Sequence, residues 1–228
     1  MKKFVLIALC AMMILPGCGT MTKTGSGSLI GGGAGAAVGA GLGALIGKDG
    51  KGAAIGAAIG TAVGAGTGAL IGKKMDKKAA ELAALENAQV ETVEDANGLE
   101  AIKVTFDSGI LFDFNKSTLS AASKKDLKDF ADKMADLPDT DITILGHTDN
   151  IGTAAANEKV SQNRADAVAK YLKSVGIAGT RMTAEGRSFN EPVADNSTEA
   201  GRAQNRRVEI YITANENMIK AAEAGELK

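Results

Sequence analysis

An acidic and a basic residue fifteen positions apart are the strongest candidates for chemistry in this sequence. Asp149 follows an alternating apolar run that ends at Gly146 and is typical of a strand. Arg164 lies in the helix predicted next, where Asn157, Ser161 and Arg164 share one face at i, i+4 and i+7. A carboxylate at a strand end and a guanidinium on the next helix either neutralise each other or bind a ligand that carries both charges.

The residues around this pair do not favour catalysis or metal binding. Ser161, His147 and Asp149 have the types of a catalytic triad, but His147 and Asp149 are only two positions apart and no nucleophile elbow is present. One histidine and two widely separated cysteines do not form the usual metal clusters. We therefore predict no catalytic residue, no metal and no cofactor.

Composition limits the remaining function classes. The 228 residues allow one or two domains. A formal net charge of −1 gives no overall basic character, so we predict no nucleic-acid partner and see no overall signal for an anionic membrane surface. Aromatic residues make up 4% and tryptophan is absent, which argues against a sugar groove lined by rings.

Strand and helix patterns alternate over residues 99–214. Ser120 can cap a helix that stops at Pro138, and the helix carrying Arg164 stops at Gly176. The order βαβαβ–loop–β predicts an α/β fold, an α+β sandwich with a mixed sheet and helices on one face. The predicted strands are Ala101–Phe106 continued by Ile110–Phe114, Asp141–Leu145, Arg181–Glu185 and Val208–Ile212, with a polar loop over Gly186–Gly201 and a polar tail over 215–228.

The N-terminus has the pattern of a targeting segment over residues 1–17. A positive Met1–Lys3 precedes an apolar run from Phe4 to Leu15, as in secretory signals. The sequence Leu15-Pro16-Gly17-Cys18 resembles a bacterial lipobox, which implies that Cys18 is the lipid-modified first residue of the mature chain. Gly19, rather than Asp, resembles an outer-membrane destination. The alternative interpretation is an uncleaved membrane anchor.

Beyond a polar tether over residues 18–28, a glycine repeat predicts a helical hairpin over residues 29–73. Leu29–Lys48 and Ala54–Lys73 align with each other, and glycine recurs in both at every fourth position. Repeated GxxxG lets helices approach closely, and about 20 residues of helix span a bilayer core of ~30 Å. We predict a membrane-associated hairpin that also forms homo-oligomers; the alternative is a low-complexity spacer.

A linker helix is predicted over residues 74–98, because Ala79–Val93 is rich in Ala, Glu and Leu. Asn97-Gly98 is the turn that leads into the globular domain.

Several motifs of the second half resemble the OmpA C-terminal-like peptidoglycan-binding domain over about Leu99–Ala214. Together with the zipper, the arrangement resembles glycine-zipper lipoproteins of the YiaD type. The motifs are His147-Thr148-Asp149 with Gly152, then Asn157, Ser161 and Arg164-Ala165, and finally Gly201-Arg202 with Asn205-Arg206-Arg207-Val208-Glu209.

This resemblance implies a ligand and a set of site residues. In the family, the residues that match Asp149 and Arg164 hold the diaminopimelate of the peptidoglycan stem peptide, whose free end offers an ammonium and a carboxylate. For the other candidates the alternatives stay open. Thr148 and Asn157 bind the ligand or order the loop, and Arg206 closes the site or pairs with a carboxylate. Phe112 and Asp113 resemble the end of the family's first strand, which borders the ligand groove, so both are candidate binding residues; Phe112 is a groove wall or part of the core. Arg207 is expected to be structural.

The sequence therefore predicts an outer-membrane lipoprotein that faces the periplasm and binds peptidoglycan non-covalently. The alternative is a membrane-assembly protein that oligomerises through its glycine zipper and is positioned by its cell-wall domain.

Overall fold

The computed structural model describes residues 64–112 and 116–227. The predicted signal segment, Cys18, the tether, the first glycine repeat and Asp113 lie outside the described residues. The elements are α1 (Ala65–Leu82), β1 (Ala88–Glu94), β2 (Glu100–Asp107), α2 (Ser108–Leu111), α3 (Ala121–Lys133), β3 (Thr140–Gly146), α4 (Ala154–Ser174), a 3-10 turn (Gly179–Arg181), β4 (Met182–Gly186), α5 (Glu199–Asn205), β5 (Arg207–Ala214) and α6 (Glu216–Glu223).

The strands form one mixed sheet in the order β1-β2-β5-β3-β4. Strands β3 and β4 are parallel, and the other neighbours are antiparallel. Ile210 at the centre of β5 lies opposite Val104 of β2 and Ile144 of β3. The predicted α/β fold with a mixed sheet is confirmed.

The core lies on one face of this sheet because apolar side chains alternate along the strands. Phe106 of β2 and Ile210 of β5 pack in one cluster with Phe130 of α3 and Leu172 of α4. The opposite face carries a small cluster around Leu145 and Tyr211 together with charged side chains. Helices therefore cover one face, as predicted.

The predicted linker helix is wrong beyond Leu82, because residues 88–94 form strand β1. This strand pairs with β2 along its whole length, and Val90 lies opposite Val104. Ala and Glu are good helix formers, but helix propensity contributes little free energy per residue, and pairing with the neighbouring buried strand outweighs it. Asn87, with a φ of 60°, makes the turn into the strand.

Helix α1 is part of the core and not a spacer. Ile71, Met75 and Leu82 are fully buried on the face that packs against β1 and β2. The helix begins at Ala65, so the last nine residues of the second glycine repeat belong to the globular fold. This shortens the stretch that is available for the predicted membrane hairpin.

A further prediction is corrected at the end of β2. The expected strand over Ile110–Phe114 is wrong at Ile110 and Leu111, which lie in the short helix α2, while Asp113 and Phe114 lie outside the described residues. The Asp107 carboxylate caps α2 by accepting from the Gly109 amide. Phe112 then makes an isolated bridge with Leu119.

The C-terminal segment is helical, contrary to the predicted polar tail. Asn215 caps α6 by accepting from the Asn217 and Met218 amides, and Met218 and Ile219 are buried. The helix packs against α1. The apolar stripe of α6 is short and lies among polar residues, so the sequence pattern did not predict this helix.

No helix within residues 64–112 and 116–227 is long and apolar enough to span a membrane.

Candidate ligand-binding groove

The groove forms where β3 ends, because α4 crosses the strand ends at very short range. A Cβ added to Gly146 would lie 2.2 Å from the main-chain oxygen of Ser161, and one added to Gly186 would lie 2.6 Å from the Gln162 nitrogen. Glycine at both strand ends therefore permits the contact. It holds the Asn157–Arg164 face of α4 next to the loop that carries Asp149.

Asp149 is held by two contacts in a tight turn. Its Oδ1 accepts a hydrogen bond from the Ile151 amide at 3.0 Å, and its Oδ2 accepts one from Arg206 Nη1 at 2.7 Å. Asn157 Nδ2 donates to the Ile151 carbonyl at 3.1 Å and so orders the same turn. The loop-ordering interpretation of Asn157 is the one that the contacts support.

Arg164 is not the ion-pair partner of Asp149. Its guanidinium lies 5.2 Å above the ring centre of Phe112, and its Nε donates to the Lys116 carbonyl at 3.4 Å. Only 8% of Arg164 is exposed, yet it makes no ion pair with any described acidic residue. Burial first, and then the charge of Arg206, lower the pKa of Arg164, while Asp149 acts in the opposite direction.

Arg206 is the cation that neutralises Asp149, one of the two roles predicted for it. Its Nη2 donates to Glu199 Oε1 at 2.8 Å. Burial opposes the charged form of Arg206, but these two carboxylates together raise its pKa. The phenylalanine ring at position 112 serves both predicted roles, since it is buried and forms the wall under Arg164.

Glu199 and Arg202 also line the groove, although neither was among the predicted site residues and only Arg202 belonged to a motif. Arg202 binds Glu199 and the main-chain oxygens of Asn196 and Ser197. The signal was present in the sequence, because positions 199, 202 and 206 follow the i, i+3, i+7 spacing of one helix face.

These side chains enclose a groove of about 510 Å³ that is open to solvent. Thr148 Oγ1 is buried in the wall and has no hydrogen-bond partner among the described residues. Three guanidinium groups and two carboxylates give the lining an excess of positive charge. The lining residues are Ser108, Gly109, Phe112, Thr148, Asp149, Ile151, Asn157, Val160, Arg164, Glu199, Arg202 and Arg206.

His147 and Ser161 do not form a catalytic arrangement with Asp149. Ser161 Oγ donates to the Glu158 carbonyl and accepts from the Ser188 amide at 3.0 Å. His147 is buried, with Nε2 at 3.5 Å from Glu209 Oε2.

Arg207 is structural, as expected, because its Nε binds Glu209 at 2.7 Å. Burial opposes the charged form of Glu209, but His147 and Arg207 together lower its pKa well below the usual range. In the described part of the chain, no group of three or more His, Cys, Asp or Glu residues could hold a metal ion.

The fold and the groove define an α/β domain that brings the side chains of Asp149 and Arg164 to one solvent-open site. Residues 111–206 match the OmpA family, and residues 1–76 match the YMGG-like Gly-zipper family. The described domain therefore has an OmpA-like fold, and the predicted resemblance to the OmpA family and to glycine-zipper proteins is confirmed over these two segments.

Three curated relatives show the extent of the similarity. The chain is 48% identical over 115 residues to outer membrane porin F of Pseudomonas fluorescens, which covers 50% of this chain and 35% of that protein. It is 37% identical to the probable lipoprotein YiaD of Escherichia coli, over 49% and 51% of the two chains. It is 39% identical to the peptidoglycan-binding protein ArfA of Mycobacterium tuberculosis, over 49% and 34%.

A solved structure shares the fold. The cell wall anchor of the T6SS from Pseudomonas aeruginosa superposes with a TM-score of 0.51 and 34% identity, over 62% of this chain and 97% of that one. The matched segment is about half of this chain and a third to a half of the curated relatives.

Proposed function

We propose that the protein is an outer-membrane lipoprotein that binds peptidoglycan non-covalently through the diaminopimelate of the stem peptide. It thereby tethers the outer membrane to the cell wall. The observation that carries the ligand assignment is Arg164, a nearly buried guanidinium without an ionic partner among the described residues.

A diaminopimelate end fits the charges on both sides of the groove. Its carboxylate would accept the free donors of Arg164, and its ammonium would bind Asp149. Since Arg206 already occupies Asp149 Oδ2, the ligand ammonium must share that carboxylate or displace Arg206. A displaced Arg206 keeps its contact with Glu199, and its freed Nη1 can turn to the ligand carboxylate, which makes Arg206 the adjustable part of the proposed site.

The relatives support the same ligand class and location. ArfA is a peptidoglycan-binding protein, and YiaD is a probable lipoprotein. In this chain the lipid would be attached to Cys18, and the domain would lie in the periplasm.

Binding is tested by pulling down the protein on purified sacculi with diaminopimelate walls. Asp149→Asn keeps the acceptor for the Ile151 amide but removes the charge, so we expect sacculus binding to fall about tenfold or more with little change in Tm. Glu199→Gln is the matched control, because it removes the other carboxylate that binds Arg206. Normal wall binding by Asp149→Asn would refute the assignment of the site.

Anchoring is tested separately with Cys18→Ser, which should abolish metabolic fatty-acid labelling. Labelling that persists in this variant would refute Cys18 as the lipidation site.

A further inference from the structure

Helix α1 carries a cluster of lysines, of which Lys78 contacts the rest of the domain and Lys73 and Lys77 are exposed. Lys78 is buried, and its ammonium binds Asp136 at 2.6 Å, the Lys133 carbonyl at 2.8 Å and the Glu81 carboxylate. Lys78 therefore fastens α1 to the loop after α3. Lys73 and Lys77, one turn apart, are exposed on the same side of the helix.

A groove of about 580 Å³ lies beside these lysines. Leu70, Leu137 and Leu227 contribute its apolar surface, and Leu70 is 40% exposed. Cationic side chains thus surround an apolar floor. The acidic groups at this site, Glu81 and Asp136, are engaged by Lys78.

The cluster directly follows the uncharged glycine repeat. The second repeat begins at Ala54 and has no charged residue before Lys73, while α1 already begins at Ala65. Eleven residues of the repeat, 54–64, precede α1. As a helix they would extend ~16 Å, about half of a bilayer core. No linker separates a segment expected at the membrane from the lysines.

We propose that this face of α1, made of Leu70, Lys73, Lys77 and the adjoining groove, docks on an anionic lipid surface. The lysine ammonium groups bind headgroup phosphates, and Leu70 enters the interfacial layer. The proposal rests on the outer-membrane anchoring of the proposed function and on the membrane association predicted for the glycine repeat. It adds that the globular domain is held against the bilayer by a local cationic surface, although residues 64–228 carry 26 Asp and Glu against 21 Lys and Arg, a formal net charge of −5.

The first test measures lysine accessibility in the full-length lipidated protein. The protein is reconstituted into phosphatidylcholine vesicles with or without phosphatidylglycerol, and acylation of each lysine is followed by mass spectrometry. Lys73 and Lys77 should react about fivefold more slowly on the anionic vesicles, since each lysine at such a surface gains roughly that factor. Lys170, exposed on α4, is the internal control and should be unaffected.

The second test uses charge reversal in a Cys18→Ser background, where the lipid anchor cannot mask weak binding. Lys73→Glu with Lys77→Glu should lower affinity for anionic vesicles about 25-fold or more, at fivefold per lysine. Lys159→Glu with Lys170→Glu makes the same charge change on exposed positions of α4 and should have a much smaller effect.

The outcomes separate docking from anchoring. Equal acylation on both kinds of vesicle, or an equal loss of affinity in the control pair, would overturn the docking proposal. Protection that depends on protein concentration without vesicles would overturn it too, since a second copy would then cover this face. Failure of the lipidated protein to float with either vesicle would refute anchoring itself.

Discussion

At the scale of single residues, the central result is that Arg206 makes the ion pair with Asp149 that was one of the two roles expected of Arg164. Asp149 is neutralised by Arg206 at 2.7 Å, whereas Arg164 is stacked on Phe112 and retains unused donors. A buried guanidinium in this state costs solvation free energy, which a ligand carboxylate would recover. We therefore expect an anionic group of a ligand to bind at Arg164.

The first prediction concerns the fork geometry of Arg164. Arg164→Lys keeps the charge but loses bidentate contact, so affinity for a diaminopimelate muropeptide should fall about tenfold or more. Loss of stacking on Phe112 should lower the free energy of unfolding by only about 1 kcal/mol. Calorimetric titration beside thermal unfolding measures both.

Arg202→Lys is the control for this prediction, because Arg202 is already bound to Glu199 and to main-chain carbonyls. A muropeptide with lysine in place of diaminopimelate lacks the carboxylate and should bind weakly to wild type and variant alike. If Arg164→Lys binds both muropeptides as wild type does, Arg164 does not contact the ligand.

The sequence could predict which side chains face the groove but not which of them pair. Helical spacing placed Asn157 and Arg164 on one face, and both line the groove. The partner of Asp149 is Arg206, 57 residues further along the chain and beyond α4, β4 and α5. Such a contact depends on how β5 lies against β3, which no local pattern records.

At the scale of elements, the site depends on how closely α4 approaches the sheet. Strand β3, its following loop and α4 were predictable, because alternation and helical periodicity are strong there. Strand β1 was not, because residues 88–94 have no marked preference of their own and become a strand only by pairing with β2. Helix α6 was missed because three buried residues in a polar segment are a weak signal.

The second prediction tests the approach of α4. Gly146→Ala would bring Cβ within 2.2 Å of the Ser161 main-chain oxygen, so backbone must move. We expect a loss of about 2–3 kcal/mol in the free energy of unfolding and weaker muropeptide binding, because Arg164 moves with α4. Urea unfolding and titration measure the two effects.

Gly66→Ala is the matched control, since a Cβ there meets nothing within 4 Å inside α1. It should leave stability unchanged or raise it by about 0.5–1 kcal/mol. Equal effects of the two substitutions would contradict the close contact between α4 and β3.

The third prediction concerns the contact between α1 and β2. Burial first, and then the hydrogen bond and charge of Asp76, with a further contribution from Glu94, raise the pKa of Glu100 from 4.5 to about 7. The protonated form is therefore favoured in the fold. Its stabilising contribution is complete below about pH 4.5 and is lost as the pH rises through about 7.

We expect wild type to lose about 1–2 kcal/mol of unfolding free energy between pH 5 and 8 through this group, after allowance for partial exposure. Glu100→Gln should remove this loss and be the more stable protein at pH 8. Urea unfolding at both pH values measures it, with Glu158→Gln, exposed on α4, as the control. A pH dependence that is unchanged in Glu100→Gln would contradict the shifted pKa.

At the scale of the whole molecule, the end of the second glycine repeat belongs to the globular fold. Its last glycines lie in α1, where Gly68 approaches Leu99 and Gly72 approaches Glu100. Period-four glycine thus permits close packing of a helix on a sheet here, as well as the helix–helix packing that it predicts for residues 29–63.

The fourth prediction tests oligomerisation by the repeat without disturbing the domain. Gly39→Leu with Gly64→Leu should weaken a detergent-stable oligomer, because leucine prevents close helix approach. Gly64 has open space around its Cβ position, so the domain should fold normally. Chemical cross-linking in membranes measures the oligomer, and unchanged cross-linking would favour the low-complexity spacer.

The burial of α1 also determines how a membrane tether would carry mechanical load. Tension between a lipid anchor and the wall enters the domain at Gly64, the N-cap of α1, and leaves through the groove at the end of β3. The first contacts under load are the side chains of Ile71 and Met75, and the Lys78 ion pairs come next. Helix α1 would peel from the sheet one turn at a time before strand pairing is loaded. The tether then lengthens under a pull while the wall-binding groove keeps its shape.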